Sequence, residues 1–195
     1  MKKEIWIYIE GAKSLRTAFR EFLKPLYELA REKEIKFHPP VMCGSGYEAY
    51  EDFKTGFQAN GSAINILLVD SERPVTNNVE RWAHLGWNSL GLNDSHCHLM
   101  AQTMEAWLVA DQAALADFYK QGFIQNALPQ NPRVEEIPKK DLFDGLHRAT
   151  EKTQKGRYHK TIHAPEILKQ LDVAKVRKAA PHCDRLFQTL TEKMS

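Results

Sequence analysis

Apolar positions along the chain recur with two spacings, one typical of strands and one typical of helices. Residues 4–9 alternate around Ile, Trp and Tyr, which predicts a strand. Residues 63–70 are apolar almost throughout, as expected of a strand covered on both faces. Between 14 and about 34, apolar residues recur every three or four positions, which predicts a helix that is kinked or broken at Pro25.

The sequence also predicts the elements between and after these segments. Residues 37–43 contain two prolines and predict a short edge strand. Residues 44–57 predict a Gly-rich turn followed by a helix, and residues 73–95 predict a long loop with one helical turn. The order strand, helix, strand, helix, strand implies right-handed crossovers and an α/β fold with a mainly parallel sheet.

The second half of the chain predicts one more strand and then helices. Residues 97–103 form the predicted strand, a helix follows from about Glu105, and Asp111 caps the next helix. A stretch rich in Pro and Asn near residue 130 divides an α/β core at 1–130 from a helical, basic C-terminal extension at 131–195, which packs on the core as one domain. The predicted helices of the extension span 139–152, 164–171 and 172–192.

Charge is unevenly distributed although the chain as a whole has a net charge of only +2. Residues 139–178 contain 11 Lys and Arg against 5 Asp and Glu, a net charge of +6, so the remaining chain has −4. A basic region beside an acidic one suits an anionic ligand held near carboxylates. A solvated helical surface is the alternative interpretation.

The cysteine content and the hydropathy of the chain indicate the cellular compartment in which the protein is expected. The three cysteines are odd in number and far apart, which predicts a reduced, cytoplasmic protein. The first apolar run ends at the charged Glu10, so it is too short for a signal peptide or a membrane span. We therefore expect no membrane association.

Carboxylates follow two of the predicted strands at the point where each strand ends. Glu10 follows the first strand, and Asp70 and Glu72 follow the apolar strand, where alternation places both on one side of the chain. Ligands of open α/β sheets bind at such strand ends, so these carboxylates are expected to converge and to repel one another. Mg²⁺, or Mn²⁺, would relieve the repulsion and support phosphoryl transfer. A turn over 70–74 with an internal salt bridge is the alternative.

This arrangement of a strand followed by Glu-Gly, two helical crossovers and a strand followed by Asp-x-Glu resembles the Toprim pattern of topoisomerases, primases and nucleases of the overcoming-lysogenization-defect type. The resemblance implies a Toprim-like fold, an acid/base or metal-binding role for Glu10, and Mg²⁺ binding by Asp70 and Glu72. Glu72 stands where the pattern usually has Asp, and its longer side chain would shift the metal.

Four longer segments resemble a bacterial family of unknown function, domain-of-unknown-function family 4276, over nearly the whole chain. The segments are VDSERPV, CHLMAQTMEAWLVAD, NALPQNPRVEEIPK and KGRYHKTIHAPEIL. Members of this family are often encoded beside ATPases of the AAA or ABC kind, in loci that look like phage defence. The resemblance therefore implies a partner ATPase as well as the Toprim-like fold.

The second of these segments contains two further acidic residues. Glu105 and Asp111 lie six positions apart and would not share a face of one helix. We favour Glu105 as a fourth carboxylate of the site, because it too follows a predicted strand, and Asp111 as a cap. An ion pair between Glu105 and a neighbouring Lys or Arg is the alternative. His98 and Gln102 are candidates to face the same cleft, although a structural role is the alternative for His98.

A basic segment in the C-terminal region has the composition of a nucleic-acid-binding loop. Its cations are interleaved with an aromatic ring, an arrangement that suits phosphates and a stacked base. Lys160 is the candidate that would stabilise phosphoryl charge in catalysis. A solvated basic loop is the alternative. The candidate nucleic-acid-binding residues are Lys155, Arg157, Tyr158, Lys160 and His163.

Three functions remain open at this point. The leading hypothesis is a Mg²⁺-dependent nuclease or phosphodiesterase that acts with an ATPase partner in phage defence, with Glu10, Asp70, Glu72, Glu105 and Lys160 as the catalytic group. The alternative is a non-catalytic nucleic-acid-binding or regulatory subunit with a degenerate Toprim core. The third is a small-molecule phosphohydrolase, although the haloacid-dehalogenase type expects Asp-x-Asp where this chain has only Glu10.

Overall fold

The computed structural model describes residues 3–75 and 95–195. Most of the predicted loop at 73–95 therefore lies outside the described residues. The described strands form one parallel sheet in the order β2–β1–β4–β5, with β3 also paired to β1. The strands are β1 (Glu4–Ile9), β2 (Lys36–Phe37), β3 (Val41–Met42), β4 (Ile64–Asp70) and β5 (Cys97–Met100). The predicted α/β class and the mainly parallel sheet are confirmed.

β4 lies inside the sheet, between β1 and β5, and all seven of its residues are buried. Ile66 and Leu68 pack into the larger apolar cluster, whereas Leu67 and Val69 pack into a smaller one under the helix on the opposite face. This two-sided burial explains the continuous apolar sequence. Because the strands are parallel, their carboxyl ends meet at one edge of the sheet.

The described helices surround this sheet. They are α1 (Arg16–Phe22), α2 (Lys24–Glu32), α3 (Gly46–Ala59), α4 (Glu105–Ala110), α5 (Gln112–Tyr119), α6 (Lys139–Thr150), α7 (His163–Leu168), α8 (Val173–Ala179) and α9 (Pro181–Met194). The predicted interruption at Pro25 is confirmed, since α1 ends at Phe22 and Pro25 lies in the first turn of α2, where its missing N–H is harmless.

Two boundaries differ from the sequence-based prediction. The single helix predicted over 172–192 is two helices, because Pro181 cannot continue α8 and instead begins α9. The strand predicted over 97–103 ends at Met100, since the next residues turn toward the end of β4. There the Met104 N–H donates to the Asp70 side chain at 2.9 Å.

The larger core lies between the sheet and the helices other than α3. Trp107 is fully buried in it and stacks on Phe22 with 5.2 Å between ring centroids. The opposite face is covered by α3, whose Phe53 meets Tyr8 of β1 edge to face at 5.9 Å. Within the part of the chain that the structure describes, every helix is too short or too polar to cross a membrane.

Candidate metal centre

Glu10 follows β1 and is half-buried at the carboxyl edge of the sheet. Its Oε2 accepts the backbone N–H of Asp70 at 2.9 Å, and the backbone of Gly46, at the start of α3, also hydrogen-bonds to the carboxylate. Burial raises the pKa of Glu10, although these backbone hydrogen bonds lower it. A Cβ at Gly46 would lie 2.9 Å from Oε2, so only glycine fits there without movement of Glu10.

Asp70 is the last residue of β4 and is 6% exposed. Its Oδ1 accepts the Met104 N–H at 2.9 Å, and its Oδ2 lies 3.1 Å from the Thr103 hydroxyl. Burial raises the pKa of Asp70 to about 7, the nearby carboxylates of Glu10 and Glu105 add to the rise, and the Lys160 ammonium opposes it. Both the protonated and the ionised forms of Asp70 are therefore populated near neutral pH in the metal-free protein.

Glu72 completes the cluster from a left-handed backbone conformation, with φ at 59°. Its N–H donates to the Gln102 carbonyl at 2.9 Å, which links the turn after β4 to the turn after β5. Its side chain is about half exposed and pairs with the Lys139 ammonium at 2.5 Å. A non-glycine residue at positive φ is uncommon, and such strain often occurs at functional sites.

The three carboxylates converge as the sequence predicts. One oxygen each from Glu10, Asp70 and Glu72 lies within 4.8 Å of the others. Oxygen ligands of octahedral Mg²⁺, at about 2.1 Å from the ion, are separated by about 3.0 Å when adjacent and about 4.2 Å when opposite, so the group must close by up to about 2 Å. The exposed Glu72 side chain can supply that movement. An all-oxygen, anionic donor set of this kind fits Mg²⁺ or Mn²⁺.

Glu105 begins α4 and is fully buried beside Asp70. Its Oε2 lies 2.6 Å from the Thr103 hydroxyl, and its Oε1 accepts the Tyr158 hydroxyl at 2.9 Å. The Lys160 ammonium lies 3.6 Å from Glu105 Oε2 and 3.6 Å from Asp70 Oδ2. The structure therefore brings two of the predicted catalytic residues, Glu105 and Lys160, to the same edge as the three converging carboxylates.

Lys160 is charged in this environment. Burial lowers the pKa of its ammonium group, but the surrounding carboxylates Glu105, Asp70 and Glu10 together outweigh burial and raise it. Its side chain is 41% exposed, so the ammonium can still meet a ligand from solvent. Tyr158 is only 4% exposed and its ring packs inside the protein. Burial, together with the Glu105 charge, holds the pKa of the Tyr158 hydroxyl well above its usual range.

The remaining predicted nucleic-acid-binding residues divide into exposed and buried ones. Lys155 and Arg157 are exposed. The Lys155 ammonium lies 4.6 Å from the centroid of the Phe118 ring, and an Arg157 Nη2 lies 3.0 Å from His147 Nδ1. His163 is buried, and its Nδ1 lies 2.9 Å from the Tyr119 hydroxyl oxygen.

Three further candidates of the central segment occupy structural positions. Asp111 accepts the Ala114 N–H as the cap of α5 and pairs with Lys175 at 3.0 Å. His98 is fully buried in β5, and burial and the nearby Arg185 charge lower its pKa to about 3. Gln102 Oε1 accepts the N–H of Lys139, the first residue of α6, at 3.3 Å.

Sequence reasoning missed Thr103, which lies between Asp70 and Glu105, and Lys139, which pairs with Glu72. A signal for Thr103 was present, because Thr-x-Glu follows β5 as Asp-x-Glu follows β4. Lys139 gave no comparable signal. Its contact with Glu72 joins residues 67 positions apart in the sequence.

The fold and this cluster define an α/β protein with a candidate divalent-cation centre at the carboxyl edge of a parallel sheet. The sequence model of the family described as Domain of unknown function (DUF4276) matches residues 10–191, so the chain belongs to that family. Comparison with curated proteins and with solved structures gives no match.

Proposed function

We propose that this protein is a Mg²⁺- or Mn²⁺-dependent nuclease or phosphodiesterase of the Toprim type. The observation that supports the proposal is the convergence of Glu10, Asp70 and Glu72 at the edge where ligands bind in parallel α/β sheets. Lys160 stands beside this group with an accessible ammonium. Carboxylates that hold a divalent cation and a side-chain cation that offsets phosphoryl charge are two recurring components of phosphodiesterase centres.

Each chemical role belongs to a named side chain. A divalent cation, when bound, would supply polarisation of the phosphoryl oxygen and activation of a water molecule. Glu10, Asp70 and Glu72 would hold that cation. The backbone N–H groups of Asp70 and Gly46 orient Glu10, and the N–H of Met104 orients Asp70. Lys160 would stabilise negative charge on the transferred phosphoryl group.

A polynucleotide is the proposed substrate because of the charge beside the centre. Lys155 and Arg157 are exposed on the loop that contains Lys160, and Lys139 and Lys140 begin α6 next to Glu72. Cations flanking a phosphodiesterase centre suit a chain of phosphates. The family resemblance extends the proposal to an ATPase partner of the AAA or ABC kind and to a role in phage defence.

A second candidate function is a regulatory or nucleic-acid-binding subunit without catalysis. The observation that favours it is that lysines of the chain already neutralise the acidic cluster. Lys139 pairs with Glu72, and Lys160 pairs with Asp70 and Glu105. A cluster compensated in this way persists without a metal ion.

Melting curves with and without Mg²⁺ or Mn²⁺, beside cleavage assays, separate the two functions. Wild-type protein should melt at a higher temperature with the ion, since a ligand of the native state stabilises it. It should cut single- or double-stranded DNA or RNA, alone or with its ATPase. Asp70→Asn should lose both properties and remain folded. Asp117→Asn is the matched control, because Asp117 is exposed on α5. A wild-type protein that shows neither a shift nor cleavage would contradict the nuclease proposal and favour the regulatory function.

A further inference from the structure

Lys160 occupies a specific place between two buried carboxylates. Its Nζ is 3.6 Å from Asp70 Oδ2 and 3.6 Å from Glu105 Oε2, and those residues are 6% and 0% exposed. Among residues 3–75 and 95–195, Lys160 is the one lysine or arginine that forms an ion pair with either carboxylate. Buried carboxylates without such a partner are strongly unfavourable, so the ammonium is an integral part of the site.

Asp70 Oδ2 and Glu105 Oε2 share one hydroxyl donor between them. The Thr103 hydroxyl lies within hydrogen-bonding distance of both Asp70 and Glu105, but it has a single proton and can donate to only one of them. When both carboxylates are ionised, the repulsion between them is balanced by the Lys160 ammonium, which lies 3.6 Å from each. In other carboxylate centres a second divalent ion would have this task.

We propose that Lys160 takes the place of a second divalent cation, so that the centre is built for one divalent ion and one ammonium group. Asp70 contributes to both cation positions, because it is a member of the converging triad and also a partner of the Lys160 ammonium. In two-metal sites for phosphoryl transfer, two ions about 4 Å apart clamp the reacting phosphate between them. In this protein the Lys160 ammonium occupies the second cation position. The inference rests on the proposed function for the first ion only.

The loop that contains Lys160 is fixed in a way that keeps the ammonium in place. The Tyr158 hydroxyl donates to Glu105 at 2.9 Å, and the Tyr158 N–H donates to the Thr150 hydroxyl at 2.7 Å. The loop is thus tied to the end of α6 and to the carboxylate that Lys160 neutralises. A divalent ion could enter the second position only by displacing an ammonium held two residues from this attachment.

The number of Mn²⁺ ions bound per chain tests the proposal, measured by titration calorimetry and by electron paramagnetic resonance of free Mn²⁺. Wild-type protein should bind one ion, and Lys160→Ala and Lys160→Met should bind two, because each removes the ammonium that occupies the second position. Lys160→Arg should still bind one. The matched control is Lys139→Ala, which removes the partner of Glu72 and should tighten the first ion without adding another.

Each result decides a different point. Folded Lys160→Ala and Lys160→Met proteins that bind no more ions than wild type would overturn the proposal and leave the nuclease hypothesis standing. Wild-type protein that already binds two ions would overturn it without any variant, whether or not the variants fold. Wild-type protein that binds none, with Lys160→Ala binding one, would support the role of Lys160 and contradict the proposed function.

Discussion

The Tyr158 hydroxyl donates a hydrogen bond of 2.9 Å to Oε1 of Glu105, across 53 positions of sequence. This bond attaches the basic loop to the start of α4, inside the protein. An aromatic residue between cations predicts a stacking surface for a base, but the ring is 4% exposed and its hydroxyl is used internally. The exposed members of the loop, Lys155 and Arg157, are the ones available to phosphates.

Tyr158→Phe should destabilise the protein because it leaves Glu105 Oε1 buried without its donor. The expected loss is about 1–3 kcal/mol in the free energy of unfolding, measured by urea titration. Tyr47→Phe is the matched control, since Tyr47 is 69% exposed. Equal effects of the two substitutions would mean that the hydrogen bond to Glu105 contributes nothing.

The stability of the metal-free protein should depend on pH through Asp70. Its folded pKa of about 7 lies above the ordinary aspartate value of 3.8, so the native state keeps a proton that the unfolded state loses. The contribution is fully present below about pH 4 and is lost as pH rises through 7, by an amount on the order of a few kcal/mol. The contribution of His98 to stability changes with pH in the opposite direction and increases as pH rises, because its folded pKa of about 3 lies below the usual 6.5.

Subtraction of the Asp70→Asn profile isolates the Asp70 contribution. Urea unfolding in chelator from pH 4 to pH 8 should give a difference between wild type and Asp70→Asn that moves in favour of the variant as pH rises. Asn keeps an oxygen for the Met104 N–H and can donate to the Thr103 hydroxyl oxygen, so the variant should fold. A difference that is constant over this range would contradict the raised pKa.

The backbone conformation of Glu72 leads to a comparison of two truncations. Both Glu72→Gly and Glu72→Ala remove the carboxylate and its pairing with Lys139, but only glycine adopts a φ of 59° without a steric penalty. Glu72→Gly should therefore be more stable than Glu72→Ala by about 1 kcal/mol in metal-free buffer. Greater stability of the alanine variant would show that this turn rearranges when the side chain is removed.

Binding of polynucleotide should become less sensitive to salt when the exposed loop cations are removed. The double variant Lys155→Ala/Arg157→Ala should bind more weakly, and the slope of log affinity against log salt should fall by about 0.7–0.9 for each lost phosphate contact. Fluorescence anisotropy with a labelled oligonucleotide measures both quantities. Lys24→Ala/Lys33→Ala, at exposed positions on and just after α2, is the control and should leave the slope unchanged.

The triad was predictable because its members follow strands. Parallel strands bring their carboxyl ends to one edge, so Glu10 and Asp70 had to approach one another once β1 and β4 were recognised as neighbours. The position of Glu105 could be predicted for the same reason, because it lies shortly after the carboxyl end of β5. The lysine contacts could not be predicted, since they depend on where α6 and the basic loop pack against the sheet. The break at Pro181 had a local signal, because proline interrupts the interior of a helix but is tolerated in its first turn.

The backbone bond from Asp70 to Glu10 gives the centre a spectroscopic reporter of its own. The Asp70 amide nitrogen donates its proton to Glu10 Oε2 over an N···O distance of 2.9 Å, so the NMR resonance of that proton should lie downfield, as expected of a charge-assisted hydrogen bond. An ion that shares this oxygen withdraws electron density from the bond and should move the resonance upfield, with slow exchange if binding is tight. Occupancy of the site can therefore be followed from one amide signal, without a cleavage assay and without a coloured or paramagnetic metal.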